Sequence, residues 1–177
     1  MNAKGRMPLI KNYFFALVGV LIALSIDIYS KAWVISNLRY QPPRIIIYNV
    51  FQLRYLENRG AAFGILYGQQ YFLITATFLV LGFIFWFYHK VPAGKRFYPL
   101  RFCSILLVAG AIGNLIDRLR WGFVVDFLFL EIINFPIFNV ADMYVVISCI
   151  LFAILVLFFY KDHELEAFRF KKEKDDD

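Results

Sequence analysis

Four long apolar segments decide what this chain can fold into. They cover about residues 13–35, 71–88, 100–119 and 141–160. A bilayer core about 30 Å thick is crossed by a helix of roughly 20 apolar residues. The third segment has the shortest clean apolar part, which ends near Ile116; a tilted or partly interfacial span accommodates that. At 61% hydrophobic and 20% aromatic, the 177 residues are far too apolar for a soluble domain of that size. The expectation is an α-helical integral membrane protein with four transmembrane helices, one domain over residues 1–177, and a cytoplasmic tail from residue 161.

A formal charge of +6 could point to nucleic acid, but its distribution argues for a membrane. Twelve Lys and Arg fall in the N-terminal tail, the segment from His89 to Arg101 and the C-terminal tail. The other two loops hold six, of which four are in the first, and Lys31 lies inside the first span. An even number of spans puts both termini on one side, and the positive-inside bias makes that side cytoplasmic. The basic, then apolar, N-terminus resembles a signal peptide, yet its apolar run is long and lacks a small-residue cleavage site. It is expected to be a retained first span. Cys103 and Cys149 lie within spans, so no disulfide framework is expected.

The first outer loop, about residues 36–70, contains RIIIYNVFQLRYLEN, whose β-branched and aromatic residues favour strands. NRGAAFGIL follows, with Gly60 and Gly64 suited to a tight turn feeding a short lid helix or mobile flap. The third and fourth spans are joined by WGFVVDFLFLEIINFPIFN, apolar but interrupted by Gly122, Asn134 and Pro136. Strand edges cannot face lipid unpaired. These loops are therefore expected to pair as a small β-rich cradle on the extracytoplasmic surface. Trp33, Trp86 and Trp121 fall near span ends, as an interfacial belt requires.

Against this apolar background the acids stand out. An ionised Asp at the centre of a spanning helix costs roughly 2.5–3.5 kcal/mol on insertion scales. Asp142 starts the fourth span three residues after Asn139, so it reads either as a first-turn acid beside an N-cap or as a reacting group. Asp126, in GFVVDF, reads either as a loop carboxylate paired with Arg118 or Arg120, or as a partner of Asp142. If the third and fourth helices pack side by side, both carboxylates reach the same outer face. Two close carboxylates in a low-dielectric site share a proton, so one can activate water while the other protonates a leaving amine. Asn114 and Arg118, four apart in NLIDR, share a helix face. An Arg there can fork to carbonyls, a carboxylate or a headgroup, or simply snorkel. Asp27 and Lys31 are an i, i+4 pair that reads as a structural salt bridge or as a group positioning lipid or substrate. Asn58 can cap a turn or donate to a peptide. His89 and His163 lie on the cytoplasmic side, no Cys/His cluster has metal-ligand spacing, and no cofactor is expected.

These motifs, in order, resemble the lipoprotein signal peptidases (signal peptidase II): D-x-x-x-K at Asp27 to Lys31, NRGAAFGIL from Asn58, NLIDR from Asn114, GFVVDF around Asp126, and FNVAD ending at Asp142. The resemblance covers most of the chain. It implies a four-helix aspartic membrane protease of the bacterial cytoplasmic (inner) membrane, with both termini cytoplasmic. Such an enzyme removes the signal peptide from prolipoproteins, cutting on the N-terminal side of a diacylglyceryl-modified cysteine. By position it implies Asp126 and Asp142 as the catalytic dyad, with Asn58, Asn114, Arg118 and Asn139 lining the substrate cleft and meeting peptide-like inhibitors such as globomycin. It further implies a monomer among membrane lipids, with no metal or nucleic acid. Two departures are MYVVISCI, where Ser148 or Cys149 replaces a frequent family glycine, and the acidic terminal tail. Competing readings are a small proton-conducting or transport protein, which needs acids spread through the membrane depth, and a lipid-binding assembly factor, which needs no acid pair.

Overall fold

The structure, a computed structural model, describes residues 3–61, 65–165 and 168. Its elements are α1 (Ala3–Leu38), β1 (Arg44–Ile47), β2 (Phe51–Asn58), α2 (Gln70–Lys90), α3 (Tyr98–Trp121), β3 (Val124–Leu130), α4 (Val140–Ile154) and α5 (Asp162–Leu165). A 3-10 turn (Lys95–Phe97) precedes α3, and a π turn (Leu155–Phe159) continues α4. Four of the helices, α1 to α4, are long and apolar enough to cross a membrane, α4 with its π turn. Large apolar side chains such as Phe14, Phe15, Leu79, Phe83, Ile150 and Leu157 point outward from them, as a lipid-facing surface requires.

The third span, with the shortest clean apolar run by sequence, is the central one. α3 packs against α1, α2 and α4, and half of its apolar window is buried, against 11–17% for the other spans. That position explains its composition: a helix surrounded by protein need not be uniformly greasy, and close neighbours favour small residues. A Cβ on Gly110 would lie 2.5 Å from the Ala141 carbonyl of α4, and one on Gly113 would strike the Asp27 carboxylate of α1. Of the two residues in the vicinity of the frequent family glycine, Ser148 is buried against α3 and donates to the Cys103 carbonyl at 2.8 Å. Cys149 turns outward.

The loop strands form a three-stranded antiparallel sheet in the order β1-β2-β3. Gly122 ends α3 in the left-handed region (φ 73) and lets the chain turn within two residues into β3. β2 and β3 pair from Phe51↔Leu130 to Asn58↔Val124, with a bulge between Leu53 and Leu56. Beneath the sheet, Val34 and Leu38 of α1 pack with Phe123, Val125 and Phe127. Phe138 then pairs back on Leu128, returning the chain so that α4 begins beside β3.

Bends and turns occupy the described parts of the loop from Arg59 to Gln69, held by Ala61 N donating to Ile65 O and Gly68 N to Arg59 O. The lid helix expected there is not among these described residues; residues 62–64 fall outside them. At the opposite end of the bundle, Val91, Leu100, Cys103, Leu155 and Tyr160 form a second core. There Arg96 forks to Glu164 at 2.8 and 3.1 Å, clasping α5 to the turn before α3. Most of the acidic tail lies beyond the described residues.

Candidate active site

β3 and the start of α4 bring Asp126 and Asp142 to one cleft, which also receives Asn58 from β2 and Asn114 and Arg118 from α3. The cleft, of about 1010 Å³, lies between α2 and α4, with Leu73 and Val80 on one wall and Val146 on the other. Its floor is polar and its walls are apolar, and Gly110 and Asn114 of α3 lie between them.

Asp142 occupies α4's first turn, in a reciprocal capping box with Asn139. The Asn139 side chain accepts from Asp142 N at 2.9 Å, and Asp142 Oδ2 accepts from Asn139 N at 3.1 Å. Its other oxygen, Oδ1, accepts from Asn114 Nδ2 at 2.7 Å. The first-turn capping reading of Asp142 is thus realised with one oxygen, and the other oxygen is turned to Asn114.

Asp126 is almost completely buried. Its Oδ2 accepts from Asn58 Nδ2 and its Oδ1 from Asn139 Nδ2, both at 2.7 Å. Asn139 Nδ2 also reaches Asn114 Oδ1 at 3.1 Å. Asn139 and Asn114 thus link the two acids into one network. Pairing with Arg118 or Arg120 is not what holds Asp126: Arg118 donates to the Gly60 carbonyl at 3.3 Å and to the Asn114 carbonyl at 3.5 Å, and Arg120 lies over the Trp121 ring at 4.5 Å. Burial pushes the Asp126 carboxyl up to about 7, the nearby Asp142 adds to the rise, and the Asn58 and Asn139 amides and Lys31 oppose it. A group so poised carries a proton near neutral pH.

Asn58 closes a turn, its Oδ1 accepting from Gly60 N at 2.9 Å, and its amide donates to Asp126, a partner that neither reading of this residue had named. Arg118 keeps a buried Nε without a hydrogen-bond partner, so its guanidinium has unused donor capacity at the cleft.

Asp27 and Lys31 form the i, i+4 ion pair at 2.9 Å, fully buried rather than interfacial. Lys31 also meets Asp117 at 3.0 Å, and Asp117 accepts from Val125 N at 3.1 Å. Asp27 accepts from Ala141 N at 2.9 Å. A buried Asp–Lys–Asp cluster therefore joins α1, α3, β3 and α4 directly behind the dyad. Sequence reasoning assigned no role to Asp117. Its signal was the spacing: one residue before Arg118 and three after Asn114, it turns from the cleft towards α1. Among the described residues, no three His, Cys, Asp or Glu side chains gather as a metal site.

The family model described as signal peptidase (SPase) II matches residues 19–158. A lipoprotein signal peptidase of Clostridioides difficile is 41% identical over 140 residues, covering 79% of this chain and 93% of that protein. One from Streptococcus thermophilus is 39% identical over 145 residues, covering 82% and 92%. A solved structure, described as a bacterial membrane enzyme determined by the in meso method at 2.3 Å resolution, matches with a TM-score of 0.73 at 28% identity, over 90% of this chain and 93% of that one. The family match includes α1 from residue 19, the sheet, the cleft and nearly all of α4, and on it the chain belongs to the signal peptidase II family of membrane proteases.

Proposed function

We propose that this protein removes signal peptides from diacylglyceryl-modified prolipoproteins, cutting on the N-terminal side of the lipidated cysteine, with Asp126 and Asp142 as a catalytic dyad. The observation that carries the reading is the pair of acids joined through Asn139 and Asn114 at the floor of an apolar-walled cleft. A lipid-anchored substrate stays at bilayer level, so its scissile amide can be reached only by acids held there. In the reaction, ionised Asp142 takes a proton from water as its oxygen attacks the scissile carbonyl. Protonated Asp126 gives its proton to the amide nitrogen as the C–N bond breaks. The products are a carboxylic acid on the signal peptide and the free amine of the lipidated cysteine.

Asn58 holds Asp126, while the Arg118 guanidinium faces the cleft as a donor for substrate carbonyls. Globomycin-like peptides fit as blockers of this cleft. The charge distribution supports cytoplasmic termini in a bacterial inner membrane, with the sheet and dyad at the extracytoplasmic face, and the enzyme acts as a monomer. A transport role fits poorly, because the dyad, its amides and the Asp–Lys–Asp cluster gather in one region rather than along the membrane depth. The test is cleavage of a diacylglyceryl-modified prolipoprotein by the purified protein in detergent. Asp126→Asn and Asp142→Asn are expected to abolish cleavage with folding intact; full activity in either rules the dyad out.

A further inference from the structure

Lys31 is 3% exposed and surrounded by three acceptors: Asp27 Oδ2 at 2.9 Å, Asp117 Oδ2 at 3.0 Å and Asn114 Oδ1 at 3.1 Å. At this burial the ammonium is closed off by its neighbours, so a lipid headgroup or a peptide cannot reach it. That removes the lipid- or substrate-positioning reading of this residue. Of the three contacts, the one to Asn114 is a well-aligned hydrogen bond, whereas Asp27 Oδ2 has no aligned donor and is held by charge alone.

The contact matters because of what it does to an amide. Asn114 Oδ1 accepts from both Lys31 Nζ and Asn139 Nδ2, so the oxygen end of that amide is fixed towards α1 and the N-cap of α4. Its NH₂ end can then only face Asp142, to which it donates at 2.7 Å. A flipped amide would set its NH₂ against two donors and its oxygen against a carboxylate, losing three hydrogen bonds together. Cationic donation to the carbonyl also polarises the amide and strengthens its outgoing N–H.

We propose that Lys31 is a positioning residue for the dyad: through Asn114 it locks the donor that holds Asp142, while Asp27 and Asp117 exist to hold Lys31. The inference rests on the dyad reading above. Its consequence reaches Asp126 as well. The charges that act on Asp126 are Asp142 from α4, Lys31 from α1 and Arg118 from α3, with the neutral amides of Asn58 from β2 and Asn139 at the start of α4, while Asp27 and Asp117 meet Lys31. Removing the Lys31 cation removes one of the influences that hold the Asp126 carboxyl down.

Lys31→Met alone would strand two buried carboxylates, so the test uses the pair Asp27→Asn with Lys31→Met, and independently Lys31→Met with Asp117→Asn. Cleavage of the lipidated precursor should lose kcat by about 10- to 100-fold with KM unchanged, as for a partner one hydrogen bond removed from a reacting group. The upper limb of the pH profile should move to higher pH. Adding Asn114→Ala to either pair should cost little more, since the link is already cut. Loss in proportion to folded protein with an unshifted profile, or a rise in KM alone, overturns the proposal. If neither pair folds, Asn114→Ala by itself must lower kcat and leave KM unchanged, and a KM effect overturns it. Infrared titration of the Asp126 carboxyl needs no substrate: an unmoved midpoint in the pair variants defeats this proposal, whereas an inactive wild type or an active Asp126→Asn defeats the dyad reading instead.

Discussion

Asp142 places one oxygen in a capping box and the other against Asn114, so the proposed catalytic base is also part of a helix terminus. Removing its charge therefore has two consequences of different size. The N-cap, Asn139, is retained, and the lost first-turn charge costs about 0.3–1 kcal/mol, a modest loss for a helix otherwise held by packing, whereas loss of the proposed base should remove turnover altogether. Asp142→Asn is expected to melt only a few degrees lower yet show no cleavage, checked by thermal scanning beside the precursor assay. Asp126 makes a pH prediction with a definite sign. Its carboxyl is raised from 3.8 to about 7, so between those values the folded protein binds more protons than the unfolded one. Stability is fully present below about pH 4, declines as pH rises through about 7, and is flat beyond. Melting temperature should follow that course in the wild type and lose this slope in Asp126→Asn. Cleavage should fall above about pH 7 as the proton donor ionises, while EDTA should leave it unchanged.

At the scale of elements, α3 is the organiser, and its glycines are where that is most exposed to test. Alanine gains up to about 1 kcal/mol over glycine in helix propensity, but a Cβ at Gly110 would press on the Ala141 carbonyl and on Val145. Overpacking of that kind costs about 1–3 kcal/mol, so the net sign is destabilising. The atom in the way is backbone, so α4 itself must shift, and α4 carries Asp142. Gly110→Ala is expected to reduce kcat by more than its small loss of thermal stability explains, measured as kcat against melting temperature beside an exposed control such as Gly82→Ala, whose Cβ meets nothing. The strands were legible from RIIIYNVFQLRYLEN because β-branched and aromatic residues bounded by turn residues rarely do anything else. The pairing was not legible: the bulge between Leu53 and Leu56 sets the register that puts Leu56 opposite Asp126, and nothing local specifies where a bulge falls. The lid helix expected after Asn58 is replaced, where described, by turns, because local composition in a glycine-rich loop permits both.

For the whole molecule, the bundle is closed at one end and open at the other. Val91, Leu100, Leu155 and Tyr160 form the core at the closed end, where Arg96 and Glu164 clasp; the cleft opens at the other end between α2 and α4. A solvent-screened ion pair contributes little to stability, so Arg96→Ala should lower stability only slightly and leave KM for the lipidated precursor unchanged. The unlipidated precursor should be cleaved far more slowly, because without its acyl chains the cysteine is not anchored at bilayer level beside the proposed dyad; equal cleavage of both forms would refute the substrate assignment. The four spans, the strand-rich loops and the acids to watch were all written locally, in runs of apolar residues and in polar residues that have no reason to sit beside lipid unless they act there. Asp27 and Lys31 were readable as a pair for the same reason, being one helical turn apart. What only the tertiary structure decided is how those residues divide the work: Asp117 turning away from the cleft to join Lys31, and three asparagine amides rather than an arginine holding the acids. Those choices depend on which faces of four helices and three strands meet, a property of contacts between residues far apart in the chain, and no local spacing encodes it.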